Sequence, residues 1–249
     1  MNKYVSDKPV LETDDFIIYI DEDMGDYPKM VLDILTEKKK NIITFFNLDK
    51  IDKVRIDLYN KKDNMYNHRK DIGLLTYEIG LNSGFFGTNY VCCYSDLSKV
   101  LKNKAVSNIV HEFVHSVYQD YVSEKGKRIV WLDEGLAQNL SGQLSDIEED
   151  SELFKKWYLE RIINQNKEIP SVKFLHSHGT KYGKFVDKET DKYNGYDISY
   201  LMVRYMIEAY DKDRLQSLLR NYNSILELED SILLETIAYF NDKVNINRK

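Results

Sequence analysis

The stretch AVSNIVHEFVHSVYQDYV, residues Ala105 to Val122, places His111 and His115 four positions apart, with Glu112 directly after the first. On an α-helix each residue advances about 100°, so side chains four apart project within about 40° of each other, one turn along the axis. Two imidazoles so placed can reach one metal ion. Glu112, rotated to the edge of that face, is badly placed as a third ligand but can reach a water on the same ion, which gives two nitrogen donors plus a general base. In a chain with five His among 249 residues, chance alone yields an HExxH about once in a hundred such sequences, so the surroundings decide. Val106, Ile109, Val110, Phe113, Val114 and Val117 flank the histidines. They predict a helix buried on most sides, where imidazoles are costly unless hydrogen-bonded or metal-bound.

A catalytic zinc takes three protein ligands and keeps one position for water, so a third donor is expected from another element. KRIVWLDEGLAQNLSGQ supplies one: after the break at Gly126, Glu134 opens a new helix whose Trp131, Leu132, Leu136 and Leu140 can pack against the core. Eighteen residues lie between His115 and Glu134, enough to leave one helix, turn and enter the next. Asp133 reads either as the cap of this second helix, the preferred assignment, or as a partner that orients a ligand imidazole.

HEFVH followed at this spacing by WLDEGLA resembles the gluzincin metallopeptidases of the MA clan, whose pattern is HExxH and then a second helix carrying a ligand Glu in a W-L-x-E-G-x-A setting. The spacing is closer to the aminopeptidase branch than to the thermolysin branch, and the motif pair directly covers about 30 residues. The resemblance implies a zincin-like fold, one Zn2+ per chain held by His111, His115 and Glu134, Glu112 as general base and acid, and a peptide or protein substrate. In the aminopeptidase branch a Tyr heading a long apolar helix about sixty residues beyond the third ligand points its hydroxyl at the oxyanion. YNGYDISYLMVRYMIEAYDKDRL occupies that place, and Tyr196 aligns best, with Tyr200 and Tyr193 as alternatives in a chain that holds 19 tyrosines. His176 and His178 in FLHSHGTKYG offer another transition-state donor, although the Ser, Gly and Lys around them read as a polar surface loop. His68, in NMYNHRK, reads as surface.

In this family the substrate commonly pairs with the edge strand before the HExxH helix, and TNYVCCY, Thr88 to Tyr94, is expected in that place. The G-x-M-E-N motif by which the aminopeptidase branch holds a substrate's amino end is not found on it, which favours an endopeptidase over an aminopeptidase. A contrasting reading is a catalytically silent or single-target zinc protein that uses its groove to hold a peptide or protein partner. The intact Glu112 speaks against it, because a binder needs no general base.

The elements that must position these residues follow from periodicity. FIIYI, Phe16 to Ile20, reads as a buried strand, and PKMVLDILTEKKKNIITFF as a helix with Asp26 at its cap and Pro28 in its first turn. In DKVRIDLYN, Val54, Ile56 and Leu58 alternate with Lys53, Arg55 and Asp57, a strand with one buried face. KKDNMYNHRKD reads as a polar stretch, and LLTYEI and TNYVCCY as further strands. From Ser98 onward the periodicity is helical, in Ser98–Val122, Asp133–Gln143, Ser151–Gln165, Tyr196–Tyr210, Lys212–Tyr222 and Leu226–Phe240. The fold class is therefore α+β: a strand-rich part, 1–97, with a mixed sheet and a helix, then a helical part, 98–249, with the cleft between them as active site, in a single metallopeptidase domain over 1–249.

At 249 residues and 43 % hydrophobic the chain can bury a proper core. A net charge of −6, with the lysines spread among acids, excludes a nucleic-acid footprint or an anionic-membrane patch as the leading expectation. No run has the length of a signal peptide's apolar region or of a membrane span, so a cytoplasmic location is expected, with a secreted mature form as the alternative. The only cysteines, Cys92 and Cys93, are adjacent, which argues for packed, unpaired thiols in a reducing compartment. The oligomeric state, the substrate and the cleavage preference are left open by the sequence.

Overall fold

The computed structural model describes residues 2–74, 80, 82–163, 172–175 and 195–244. The strand expected at LLTYEI, the loop histidines His176 and His178, and Tyr193 fall outside the described residues. The chain forms two compact units, Met1–Val122 and Ser123–Lys249. The boundary follows the HExxH helix, because that helix packs onto the sheet formed by the residues before it.

The first unit holds a five-stranded mixed sheet of order β1-β2-β3-β5-β4. Its strands are β1 (Leu11–Glu12), β2 (Phe16–Ile20), β3 (Val54–Tyr59), β4 (Asn82–Gly87) and β5 (Tyr90–Ser95). β2, β3 and β5 run parallel, with Ile18 opposite Ile56 and Ile56 opposite Val91, while β1 and β4 close the two edges antiparallel. Helix α1 (Tyr27–Phe46) joins β2 to β3, as Pro28 in the first turn and the apolar spacing predict. It ends at Asn47, whose left-handed φ of 52° suits a residue that terminates a helix. Helix α3 (Lys102–Val117) follows β5 and packs on α1, β4 and β5. Phe16 of β2 meets Phe113 of α3 edge-on at 5.6 Å, so the face of β3 that carries Val54, Ile56 and Leu58 is the face covered by α3.

The opposite face corrects the reading of β3 as half-solvated and of the following stretch as loop. Lys62–Asp71 forms a helix, α2, and together with the N-terminal residues it covers a cluster of Val5, Tyr59, Met65, Cys92 and Tyr94. Asp57, expected at the surface, is fully buried. It accepts hydrogen bonds from Arg55 Nε at 2.8 Å, Tyr90 Oη at 2.8 Å and Asn2 Nδ2 at 2.7 Å, and these bonds are what make a charge tolerable there. His68 is likewise buried, its Nδ1 lying 2.9 Å from the Tyr59 hydroxyl. The polar spelling of α2 conceals a one-sided buried face made by Met65, His68 and Arg69. Both cysteines are free and buried as expected, Cys92 against Met65 and Cys93 against Asn108 of α3.

A second correction concerns the edge. TNYVCCY does not form it: β5 lies between β3 and β4, and among the described residues the strand at that end of the sheet is β4, NSGFFG. The glycines of β4 weaken its strand signal, because they bring no side chain to a pleated face.

The second unit is helical among the described residues: α4 (Val130–Ser141), α5 (Ser145–Glu148), α6 (Ser151–Tyr158) running into a π turn over Leu159–Ile163, α7 (Val172–Leu175), α8 (Gly195–Ala209), α9 (Lys212–Leu219) and α10 (Tyr222–Lys243). Helices α4 and α8 pack closely at Gly135. A Cβ added there would lie 2.6 Å from Val203 Cγ2 and would collide with the backbone carbonyl of Ser199, so only glycine lets the two helices approach this closely. A mixed sheet with helices is the α+β class expected. Among the described residues no helix is long and apolar enough to cross a membrane.

Burial lowers the pKa of His68 from its ordinary 6.5, with Asp57 partly opposing the shift. The unfolded chain therefore holds the imidazole proton more tightly than the fold does. His68 thus leaves stability intact above pH 6.5 and reduces it as pH falls through the lower folded value. Thermal unfolding followed against pH should show this acid-side loss, and His68→Asn should flatten the slope between those two values.

Candidate metal centre

Helix α3 presents its two histidines as the spacing predicts. Val106, Ile109, Val110, Phe113, Val114 and Val117 are all buried, and the helix lies so deep that His111 and His115 are 8 % and 2 % exposed. The rings stand nearly perpendicular, 85°, with centroids 4.6 Å apart and the two Nε2 atoms 3.0 Å apart. Nitrogens bound at about 2.0–2.1 Å to one tetrahedral ion lie about 3.4 Å from each other, so the pair is close to a chelating geometry. The ring of Phe86, on edge strand β4, stacks on His115 at 5.0 Å and 23°, which limits the rotation of that imidazole. Glu112, half-buried between the histidines, turns toward the same strand.

Beyond the histidines, α3 passes into a π turn, Tyr118–Val122. The turn is tied to the β4–β5 hairpin by Ser116 Oγ donating to Gly87 O at 3.1 Å, Asn89 N donating to Asp120 Oδ2 at 2.8 Å and Tyr121 Oη donating to Asn89 Oδ1 at 2.6 Å. Asn89, at the tip of the hairpin, has a left-handed φ of 48°. The C-terminal end of the histidine helix is thus pinned to the β4–β5 hairpin.

In the second unit α4 starts at Val130, earlier than the sequence suggests, so Glu134 stands in its second turn instead of opening it. Ile129 takes the capping position, and Asp133 is not the cap. Asp133 is fully buried and ion-paired with Arg128 Nε, while Arg128 Nη2 donates to Glu134 Oε1 at 3.1 Å. One guanidinium therefore holds two adjacent carboxylates. It fixes the orientation of Glu134 through a charge-assisted hydrogen bond. Arg128 carries no motif signal and was not singled out in the sequence; its only hint is a cation at the start of a helix whose first turns carry acids.

The head of α8 is docked on the same helix. Gln138 Nε2 donates to Tyr196 O at 3.0 Å, and Asn139 Nδ2 donates to Tyr200 O at 3.0 Å. Arg161 Nε donates to the buried Asp197 at 2.9 Å. Tyr196 is half-buried in the first turn of α8, as aligned. The alternative, Tyr200, has a buried hydroxyl that donates to Glu148, and burial followed by that bond pushes its pKa up.

Among the described residues, His111, His115 and Glu134 form a group that could hold a metal ion, each offering one ligand atom and all three atoms lying within 4.8 Å of one another. Two imidazoles and a carboxylate are a borderline nitrogen and oxygen donor set that suits zinc. The family model described as the Peptidase MA superfamily matches residues 57–247, most of the chain. Comparison with curated proteins finds no match.

Arg128→Ala should weaken zinc binding by about tenfold to a hundredfold, the usual effect of losing a group that orients a ligand. Competition against a chromogenic chelator measures this directly.

Proposed function

The chain belongs to the Peptidase MA superfamily, a family of peptidases that are usually metal-dependent and act on peptides or proteins, and from that premise we propose that it is a gluzincin-type zinc peptidase in which both units form one catalytic domain. The observation that carries this reading is the convergence of the His111 and His115 Nε2 atoms, 3.0 Å apart, in one potential ligand group with Glu134, while the carboxylate next to His111 in the chain, Glu112, is not needed as a ligand. His111, His115 and Glu134 would hold the ion. Zinc bound there supplies Lewis acidity that lowers the pKa of a bound water toward neutrality.

The chain's own residues do the rest. Glu112 takes the proton from the attacking water and returns it to the leaving amine. Tyr196, at the head of α8, donates a hydrogen bond to the developing oxyanion, an interaction whose removal costs about 10²- to 10³-fold in rate. Arg128 orients Glu134 through its guanidinium. An extended peptide adds to β4, the edge strand among the described residues, pairing its backbone with the strand that also carries Phe86 against His115. The missing G-x-M-E-N motif makes internal cleavage the expected mode. The two buried, unpaired thiols support a reducing, cytoplasmic setting.

Metal analysis combined with peptide-library cleavage, on wild type and Glu112→Gln, tests the reading. Expected is stoichiometric zinc in both proteins and cleavage slowed by about 10²- to 10⁴-fold in the variant. Zinc in both with no peptide cut by either would replace the peptidase with a zinc protein that holds its partner; wild type free of zinc would remove the metal centre itself.

A further inference from the structure

Gly84 lies in edge strand β4, opposite Cys93 of β5. Its φ is not in the left-handed region, so its backbone makes no demand for glycine. The space does. A Cβ at this position would lie 2.6 Å from Glu112 Oε1 and 2.7 Å from Glu112 Cδ, and would overlap Glu112 Cγ. These are separations that carbon and oxygen atoms do not tolerate without contact strain. The carboxylate of Glu112 is thus laid against the strand through the gap left by a missing side chain. Gly87, three residues along the same strand, provides the contrast: a Cβ there would meet only Tyr90 atoms at 3.7 and 3.8 Å, an ordinary contact.

We propose that Gly84 is a positioning residue for the proton-transferring carboxylate: its lack of a side chain sets where Glu112 sits over the metal-ligand pair, and any substituent at residue 84 swings that carboxylate away. The inference rests on the reading of Glu112 as general base. It explains why a glycine occupies the middle of a strand, where it costs backbone entropy and packs nothing. It also divides the labour of β4. Phe86 restrains His115 by stacking, and Gly84 restrains Glu112 by making room.

The test uses full-length, zinc-loaded protein and acetohydroxamate, a metal ligand whose N-hydroxyl proton passes to a carboxylate beside the ion. Affinity is measured by calorimetry and expressed per bound zinc, so that any unfolded fraction drops out. Gly84→Ala should keep its zinc and lose acetohydroxamate affinity by about tenfold to a hundredfold, with kcat on any cleaved peptide falling by up to about 10²-fold. Gly87→Ala should match wild type in both, and adding Gly84→Ala to Glu112→Gln should produce no further loss. Wild-type affinity in Gly84→Ala, or an equal loss in Gly87→Ala, overturns the positioning role. Failure of wild type itself to bind zinc and hydroxamate would instead strike at the peptidase reading on which the inference stands.

Discussion

Everything at this centre depends on holding two imidazoles against each other on one turn of a buried helix. Left to itself, a pair of imidazoles with Nε2 atoms 3.0 Å apart and almost no exposure carries the desolvation cost of its polar nitrogens. The first unit makes it tenable by burying α3 on one whole side against α1, β4 and β5, so that the helix cannot rotate its histidines toward solvent. The apolar Ile109, Val110, Phe113 and Val114 are therefore as much a part of the site as the donors they surround. A metal ion bound there would relieve the remaining cost by taking both nitrogens as ligands.

The same constraint explains the local architecture. A helix whose donors must stay in register with an edge strand needs attachments at more than one level. The sheet supplies Phe86 against His115, the Gly84 gap against Glu112, and the Asn89 and Asp120 contacts that close the far end. In the second unit the equivalent work is done by Arg128 on Glu134 and by the Gln138 and Asn139 amides that dock the head of α8 on α4. At Gly135, the residue after Glu134, those helices meet too closely for a side chain. Each glycine beside a candidate functional carboxylate is thus a place where two elements come closer than a side chain would allow.

Much of this was legible in the sequence, for identifiable reasons. The histidine helix, the strand at Val54, Ile56 and Leu58, and the helix at Tyr27–Phe46 announce themselves because one buried face imposes a period on the residues. Period says nothing about a face covered by polar residues. Asp57 and His68 therefore looked solvated, although a buried hydrogen-bond cluster and the N-terminal residues enclose them. The edge strand was misplaced by one, because Gly84 and Gly87 suppress strand propensity while the apolar β5 displays it. Asp133 looked like a cap because capping residues and buried ion-pair partners share the same chemistry; the earlier start of α4 and the Arg128 contact separate them.

X-ray absorption at the zinc edge of the stoichiometrically loaded protein tests the metal centre most directly. Expected is a nitrogen and oxygen shell at about 2.0–2.1 Å with the outer scattering of two imidazoles, one of which is lost in His111→Ala. A sulfur shell at about 2.3 Å, drawn from Cys92 or Cys93, or imidazole scattering unchanged in His111→Ala, would contradict a centre built on His111, His115 and Glu134.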